Sequence, residues 1–257
     1  MKPLRDAAMT SMIIDCHLHS GVQNVSWRWQ DIRTLLLAAG ISGAGAIPPV
    51  EDVYDRYDPA FTDTPAWQDC RRRAHRYLLD LNDPEIRIFP YFFVWNDFAW
   101  EDLGPEYVAI KWHRHPDEPV YDYQAPRCRE FLEKVRERGL PILLEESLEN
   151  TLFFLEQLAP DLPVIIPHLG ALSGGYRALD AAGVWGRPLV YADMAVAGLP
   201  EIEDYLRRYG SERLMFGSDY PFSRPDTELA KIMGLGLPEG EVRAILGDNF
   251  RRLCRLK

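Results

Sequence analysis

The feature that most constrains the fold is a regular alternation of short apolar runs with longer segments whose charges lie on one face. Short apolar runs bounded by turn residues are typical of buried strands, and the amphipathic segments between them are typical of helices. Eight runs of the first kind are present, so we predict eight strands. They cover residues 12–17, 41–47, 86–94, 107–112, 141–145, 163–166, 188–192 and 213–217.

Helices are predicted between and after these strands, so that most strands are followed by one. They cover residues 31–39, 66–81, 127–138, 150–159, 176–182, 201–209, 226–233 and 239–253. Continuous apolar strands joined by helices are typical of a parallel sheet that helices cover. Eight such units predict a (β/α)8 TIM barrel, an α/β fold in which residues 1–257 form a single domain. The alternative is an open doubly wound sheet, but no GxGxxG motif follows the first strand.

The composition excludes several classes of protein. Hydrophobic residues make up 47% of the chain and charged residues 26%, which is ordinary for a globular protein and excludes general disorder. The net charge of −10 repels phosphate backbones, so we expect no nucleic-acid partner. The cysteines form no CxxC pair, which favours a reducing compartment, and we expect a cytoplasmic protein. We also expect no membrane partner, because no uncharged run reaches the roughly 20 residues of a membrane span and no secretory signal is recognisable.

Polar side chains that can perform chemistry stand at or just beyond the ends of several predicted strands. The carboxyl ends of barrel strands meet at one mouth, where the active sites of such barrels lie. Residues far apart in sequence are therefore expected to form one cluster in space. These residues are His17, His19, Lys111, His113, Glu145, His168 and Asp219.

The first members of this cluster are His17 and His19. Side chains two residues apart on a strand share a face, so both imidazoles can bind one metal ion. An isolated HxH motif is a weak signal, and two ordinary core or surface histidines are the alternative. In a closed barrel the last strand lies beside the first and brings Asp219 close to both. The alternative for Asp219 is a turn residue before Pro221.

The remaining members also have purely structural alternatives. His168 and Glu145 can each be a core polar group whose hydrogen bonds are satisfied. Lys111 is costly in an apolar strand when it has no partner, and it can form a salt bridge with Glu145. By strand alternation His113 shares the face of Lys111.

Substrate-binding residues are predicted around the mouth of the barrel. His113 is one of them, because it follows the fourth strand. Trp27 and Arg28 lie in the loop after the first strand, where they can form an aromatic wall and a clamp for a carboxylate. Packing of both residues on the first helix is the alternative.

Several segments of the sequence match one family in order. They are residues 14–19 (IDCHLH), 109–113 (AIKWH), 167–170 (PHLG), 216–221 (FGSDYP) and the closing segment 245–253. With them the chain resembles the amidohydrolase superfamily, in particular its amidohydrolase 2 branch. That branch contains metal-dependent hydrolases, lactonases and decarboxylases related to aminocarboxymuconate semialdehyde decarboxylase. The combination spans almost the whole chain and is specific, although no single segment is.

The resemblance implies roles for the clustered residues. It implies that His17 and His19 ligate a divalent ion, and that Asp219 is a further ligand or the base that takes a proton from the attacking water. It also implies that His168 contacts that water or the substrate, and we count His168 among both the ligands and the catalytic residues. Zn²⁺ is the ion we expect first, with Mn²⁺ as the alternative.

Two residues complicate this assignment. Many relatives end the fifth strand in His, whereas this chain has Glu145. A carboxylate favours harder ions but can still ligate one, so we include Glu145 among the predicted metal ligands. It can instead pair with Lys111. In some superfamily members a lysine of the fourth strand is carbamylated and bridges two metal ions, which makes Lys111 a catalytic candidate and leaves the number of ions open.

The resemblance and the cluster together predict a metal-dependent hydrolase. A metal-activated water would attack a C–N or C–O bond in an amide, lactone or ester of small size. The alternatives are a non-hydrolytic, metal-dependent decarboxylase or lyase of a small carboxylic acid, and a catalytically silent barrel that binds a ligand. A metal-dependent nuclease that begins with HxH is disfavoured by segment 217–221 and by the net charge. Such barrels often form homo-dimers, although the sequence carries no interface signal.

Overall fold

A computed structural model describes residues 12–21 and 27–256 of the chain. Its centre is a sheet of eight strands in sequence order, in which each strand pairs in parallel with the next. The strands are β1 (Ile14–His19), β2 (Gly43–Ile47), β3 (Arg87–Phe93), β4 (Ala109–His113), β5 (Ile142–Glu145), β6 (Val164–Ile166), β7 (Val190–Asp193) and β8 (Leu214–Met215). Nearly every strand residue is buried, as expected for a parallel sheet that is covered on both sides.

Backbone contacts between β1 and the segment after β8 close this sheet into a barrel. Leu18 forms a parallel bridge with Tyr220. The backbone amide of Cys16 donates to the carbonyl of Phe216 at 3.0 Å, and the amide of His19 donates to the carbonyl of Tyr220 at 2.9 Å. The predicted single-domain (β/α)8 TIM barrel is therefore confirmed, and the open doubly wound sheet is excluded.

Helices alternate with the strands and present their apolar sides to the sheet. They are α1 (Trp29–Ala39), α2 (Pro65–Asp80), α3 (Pro126–Arg138), α4 (Leu148–Phe153), α5 (Tyr176–Ala181), α6 (Leu199–Tyr209), α7 (Pro225–Gly234), α8 (Glu239–Arg243) and α9 (Asn249–Leu253). The start of α2 follows from its sequence, because the Thr64 hydroxyl accepts a hydrogen bond from the amide of Trp67 and proline occupies the first helical position. Within the described ranges, no helix has both the length and the apolar character needed to cross a bilayer.

Several predicted boundaries differ from the structure. The first strand is predicted over residues 12–17 but covers Ile14–His19, because backbone hydrogen bonds to both neighbouring strands continue beyond the apolar run. The fourth helix is predicted to begin at residue 150 but begins at Leu148. Ser147 is the N-cap, and its hydroxyl accepts a hydrogen bond from the amide of Asn150 at 3.2 Å. The predicted helix over residues 239–253 is divided into α8 and α9 by a π-helical turn.

The backbones of β1 and β2 approach each other closely at Gly45. A Cβ atom built at Gly45 would lie 2.5 Å from the carbonyl oxygen of Cys16, which is far inside van der Waals contact. The obstacle is backbone of the adjoining strand, so no side-chain rotation can relieve it. β1 also carries the two histidines of the predicted cluster, and the space at Gly45 therefore helps to fix their position.

We predict that Gly45→Ala destabilises the barrel by about 1–3 kcal/mol, the usual cost of overpacking a core. Gly234→Ala is the matched control, because a Cβ at Gly234 meets nothing within 4 Å and the residue is helical. That change should leave stability equal or raise it slightly. Urea unfolding followed by circular dichroism measures both variants. Equal midpoints for Gly45→Ala and the wild type would contradict the close approach.

Candidate active site

Three histidines at the mouth of the barrel are each anchored through the same ring nitrogen. The Nδ1 atom of His17 lies 2.9 Å from a carboxylate oxygen of Asp193. The Nδ1 atoms of His19 and His168 lie 3.0 and 2.8 Å from the backbone carbonyls of Pro48 and Ala195, respectively. Oxygen acceptors fix the proton of a neutral imidazole on Nδ1 and leave the lone pair on Nε2. The Nε2 atoms are therefore the ring nitrogens available to a metal ion. His168 has a second proton there when no ion is bound, because, against the effect of burial, Glu145 raises its pKa to about 10. Binding of an ion would release that proton.

The three Nε2 atoms converge on the carboxylate of Asp219. The Oδ1 atom of Asp219 lies 3.3 Å from Nε2 of both His17 and His19, and its Oδ2 atom lies 3.7 Å from Nε2 of His168. All four side chains are buried. His168 and Asp219 both adopt a positive φ, 59° and 53°, which is costly for residues other than glycine and is found at functional sites. The strands thus bring four of the predicted ligands to one point.

The electrostatics of this cluster suit a divalent cation. Burial, with a further contribution from Lys111, holds the pKa of His17 well below its usual value, so its ring stays neutral. Burial raises the pKa of Asp219, but His17, His19 and His168 together outweigh it and hold that pKa below its usual value. Of these three, His168 is protonated when no ion is bound, since its own pKa is raised to about 10. Neutral imidazole nitrogens with a carboxylate oxygen are a donor set that Zn²⁺ and Mn²⁺ accept. Residues present at this point therefore fit the ion that the sequence predicts.

Glu145 lies beside the cluster with a partner of its own. Its Oε2 atom accepts a hydrogen bond from the Lys111 ammonium at 2.9 Å, and both side chains are almost completely buried. Burial alone would raise the pKa of Glu145, but Lys111 and then His113 hold it well below its usual value. Lys111 therefore acts as a cation here. A carbamylated lysine would carry a negative charge and could not make this ion pair, so the pair and the carbamate are exclusive alternatives for Lys111.

His113 and His115 continue the row of side chains that begins with Lys111. His113 Nδ1 lies 3.1 Å from the hydroxyl of Tyr54, and its Nε2 atom lies 3.6 Å from Glu145 Oε1. His115 Nε2 lies 2.8 Å from the same Glu145 oxygen. The alternation predicted for β4 is thus present, and it places His113 on the wall of the cavity described next.

The ligand cluster opens into a cavity of about 270 Å³. One wall is polar and is formed by the histidines, Arg56, Glu145 and Asp219. The facing wall is apolar. Its residues are Val50, Ala171, Leu172, Val196 and Phe222. A small organic molecule with one polar end fits such a space.

The two predicted substrate residues of the first loop lie away from this cavity wall. Trp27 is buried, and its ring packs 5.8 Å from that of His19 and 5.9 Å from that of Phe222, measured between ring centres. Arg28 is exposed at the start of α1 and does not line the cavity. Trp27 therefore packs behind two residues that line the cavity, and the substrate-binding roles of Trp27 and Arg28 stay predictions.

Sequence reasoning missed two residues of the site. Asp193 anchors His17, and Arg56 reaches the cavity. A signal existed for Asp193, because it ends β7 as other polar site residues end their strands. Arg56 follows the short helical turn after β2, and its place depends on the folding of that loop, so local pattern gave no signal for it.

Comparisons with known proteins agree with the barrel fold and identify a family. The family model described as Amidohydrolase matches residues 14–256. A 2,6-dihydroxybenzoate decarboxylase in complex with 2,6-dihydroxybenzoate has a TM-score of 0.71 at 17% identity, covering 96% of this chain and 98% of the other. A putative 2-pyrone-4,6-dicarboxylic acid hydrolase from Pseudomonas putida has a TM-score of 0.70 at 17% identity, with 95% and 98% covered.

A dihydroxybenzoic acid decarboxylase from Polaromonas sp. JS666, solved with bound manganese and an inhibitor, is also similar. Its TM-score is 0.67 at 14% identity, covering 96% of this chain and 97% of the other. At these identities the likeness of the solved structures shows the fold alone. No curated protein sequence gives a significant match.

We predict that Asp193→Asn weakens metal binding about 10- to 100-fold, the usual cost of losing an outer partner of a ligating histidine. An amide NH₂ facing His17 would turn Nδ1 into an acceptor and move the ring proton to Nε2, which blocks the ligand atom. Competition titration with a chromophoric chelator measures the affinity. Asp226→Asn, an exposed change on α7, is the control and should bind as the wild type does. Unchanged affinity in Asp193→Asn would contradict the anchoring role.

Proposed function

Because the chain belongs to the amidohydrolase family, we propose that it is a metal-dependent hydrolase that cleaves an amide, lactone or ester bond in a small carboxylated molecule. The observation that carries this proposal is the state of Asp219. Of the two carboxylates that line the cavity, Glu145 is neutralised by Lys111, whereas Asp219 faces only histidines and has no Lys or Arg within ion-pair distance among the described residues. A carboxylate at the cavity wall that no lysine or arginine neutralises can serve as the base that hydrolysis requires.

The ion would be held by His17, His19, His168 and Asp219, and Zn²⁺ or Mn²⁺ fits these donors. When bound, such an ion acidifies water and polarises a carbonyl oxygen. The anchored Nδ1 atoms keep the histidines in the ligating form without any rearrangement of their rings.

The chain's own residues supply the proton transfers and the substrate contacts. Asp219 takes the proton of the attacking water and passes it to the leaving nitrogen or oxygen, since its carboxylate is ionised and lies at the cavity wall. His168 has only Nε2 available, because its Nδ1 atom is bound to Ala195, so it either completes the ligand set or orients the attacking water. Arg56 lines the cavity with its guanidinium already paired with Glu118, so it adds polarity there and is not an unpaired clamp for a carboxylate. Leu172 and Phe222 cover the apolar part of the substrate and exclude water.

Decarboxylation of a small carboxylic acid is the second candidate. It is favoured by the solved structures of similar fold, two of which carry the names of dihydroxybenzoate decarboxylases. The same cluster of an ion, Asp219 and His168 could serve that reaction, because one barrel hosts many chemistries. Hydrolysis adds water to the substrate, whereas decarboxylation removes carbon dioxide, so the products separate the two candidates.

Other expectations about partners stay predictions. A small-molecule substrate agrees with the size of the cavity. The absence of a nucleic-acid partner, the homo-dimer and the cytoplasmic location rest on the sequence arguments alone.

We predict that the protein loaded with Zn²⁺ or Mn²⁺ hydrolyses members of a panel of lactones, esters and N-acyl compounds that carry a carboxylate. Asp219→Asn should lower kcat by about 10²–10⁴-fold, because the variant lacks the proton acceptor. Asp226→Asn is the control and should keep the wild-type rate. Mass spectrometry of the products, with hydroxylated benzoates in the same panel, shows whether water is gained or carbon dioxide is lost.

Each outcome of this assay has a distinct meaning. Gain of water supports hydrolysis, and loss of carbon dioxide replaces it with the second candidate. Turnover that is equal in Asp219→Asn and the wild type would contradict the role of the carboxylate. No turnover in the presence of a tightly bound ion would favour the catalytically silent barrel.

A further inference from the structure

His113 lines the cavity but is held differently from the three anchored histidines. Its Nδ1 atom lies 3.1 Å from the hydroxyl oxygen of Tyr54, a group that can donate or accept a hydrogen bond. The same hydroxyl lies 2.7 Å from Oε2 of Glu118 and 3.0 Å from the backbone carbonyl of His113. The direction in which Tyr54 donates therefore decides which ring nitrogen of His113 has the proton.

Tyr54 donates its proton to an oxygen and not to the ring of His113. Glu118 is ionised, since it forms an ion pair with Arg56, whose Nε atom donates to Oε1 at 2.7 Å. An ionised carboxylate at 2.7 Å is a stronger acceptor than a neutral ring nitrogen at 3.1 Å. Burial raises the pKa of Tyr54 well above its usual value, so the hydroxyl keeps the proton that it donates. Nδ1 of His113 is left as the donor to the Tyr54 oxygen.

Nε2 of His113 is consequently an acceptor without a donor. Burial holds the pKa of His113 well below its usual value, although Glu145 acts in the opposite direction, so the ring is neutral. A neutral ring with its proton on Nδ1 has a lone pair on Nε2. The polar atom that faces this lone pair is Oε1 of Glu145 at 3.6 Å, which also accepts. Within residues 12–21 and 27–256, no group donates a hydrogen bond to this nitrogen.

The lone pair of His113 lies in the wall of the cavity. The residue is only 4% exposed, and it faces a cavity whose other wall is apolar and includes Val196 and Phe222. A buried acceptor that has no donor is unfavourable, and a ligand that supplies an O–H or N–H group removes this cost. A ligand with an apolar body and one such donor therefore matches both walls.

Glu145 lies between His113 and the ion-binding cluster. Its Oε1 atom is 3.6 Å from Nε2 of His113, and its Oε2 atom is 3.7 Å from Nε2 of His168. The acceptor is thus set apart from the reacting groups by one carboxylate group. A donor that reaches it belongs to a substituent of the substrate and not to the bond that is cleaved.

Tyr54 is itself held firmly in place. Its side chain is completely buried, and its ring stacks on that of Trp95 with 4.0 Å between the ring centres. The contact with His113 joins the loop after β2 to the end of β4. The folded barrel therefore sets the tautomer of His113 before a ligand arrives, which lowers the cost of binding.

We propose that His113 is a specificity-determining residue, whose Nε2 atom accepts a hydrogen bond from a hydroxyl or N–H substituent of the substrate, and that Tyr54 is the positioning residue that fixes its tautomer. The inference rests on the proposed function in that the ligand is the substrate of the same cavity. It adds a group that this substrate carries, and it does not depend on which bond is cleaved.

Nitrogen-15 NMR of the protein labelled at histidine tests the tautomer in the wild type. We expect His113 to show a neutral ring with a protonated Nδ1 and an unprotonated Nε2, and the loss of these signals in His113→Asn assigns them. Tyr54→Phe should increase the share of the other tautomer, because Nδ1 then loses its acceptor. A wild-type His113 with its proton on Nε2 would overturn the proposal, and an unchanged tautomer in Tyr54→Phe would contradict the role of Tyr54.

Binding of two probes, phenol and fluorobenzene, to the metal-loaded protein tests the ligand. Both fit beside the apolar wall, but only phenol has a donor. Fluorine NMR of fluorobenzene, with phenol as the competitor, gives both dissociation constants. The ratio of phenol affinity to fluorobenzene affinity should be about 10-fold higher in the wild type than in His113→Asn, the effect of one hydrogen bond. Asparagine can still donate to Tyr54 but has no atom at the position of Nε2. Asp226→Asn is the control and should keep the wild-type ratio.

The outcomes separate this inference from the proposed function. An equal ratio in the wild type and in a folded His113→Asn protein, or no binding of phenol to the wild type, would contradict the role of His113, whatever the turnover assay shows. A changed ratio without any hydrolysis would contradict the proposed function and leave the hydrogen bond to His113 intact. Circular dichroism establishes whether the variant is folded.

A titration of the wild type covers the case in which His113→Asn does not fold. The Nε2 signal of His113 should move when phenol is added and should stay in place when fluorobenzene is added. A signal that does not respond to phenol, at concentrations that displace fluorobenzene, would overturn the proposal.

Discussion

The backbone hydrogen bond from the amide of Asp219 to the carbonyl of His17, 2.6 Å long, is the contact on which the site depends. It joins residues at opposite ends of the chain and exists only because the barrel closes. Next to it, Asp15 Oδ1 accepts hydrogen bonds from the amides of Ser218 and His17 at 2.9 and 3.2 Å. These contacts set the carboxylate of Asp219 against the first-strand histidines, so closure of the fold and assembly of the site are one event.

The centre is organised by groups that do not themselves face the cavity. Asp193 and two backbone carbonyls bind the Nδ1 atoms of His17, His19 and His168, and this directs the three Nε2 atoms toward Asp219. Preorganisation of this kind removes the cost of orienting ligands when an ion arrives. Nearby, Lys111 and His115 bind the two oxygens of Glu145, and Arg56 contacts His115.

Much of the architecture could be predicted from the sequence, because it depends on local pattern. Apolar runs and amphipathic segments recur eight times, and this is enough to indicate the barrel and the mouth at which His17, His19 and Asp219 meet. The pairing of Lys111 with Glu145 was one of two alternatives in the sequence analysis. The free-energy cost of burying a lysine predicts that it has a partner, but it does not say whether Lys111 pairs with a carboxylate or bridges metal ions.

Contacts between distant segments account for what the sequence did not reveal. His115 contacts Arg56, which approaches from a loop more than 50 residues away. The anchor of His17 comes from Asp193 on the seventh strand. Neither pairing has a period or a motif, because each is created by the closed barrel and not by neighbours in the chain.

Anomalous diffraction at the zinc edge, from crystals of the wild-type protein loaded with Zn²⁺, tests the central claim most directly. The account predicts a single peak per chain that contacts the Nε2 atoms of His17, His19 and His168 and the carboxylate of Asp219, with Lys111 still bound to Glu145. A peak ligated by Glu145, with Lys111 displaced from it, would contradict the account.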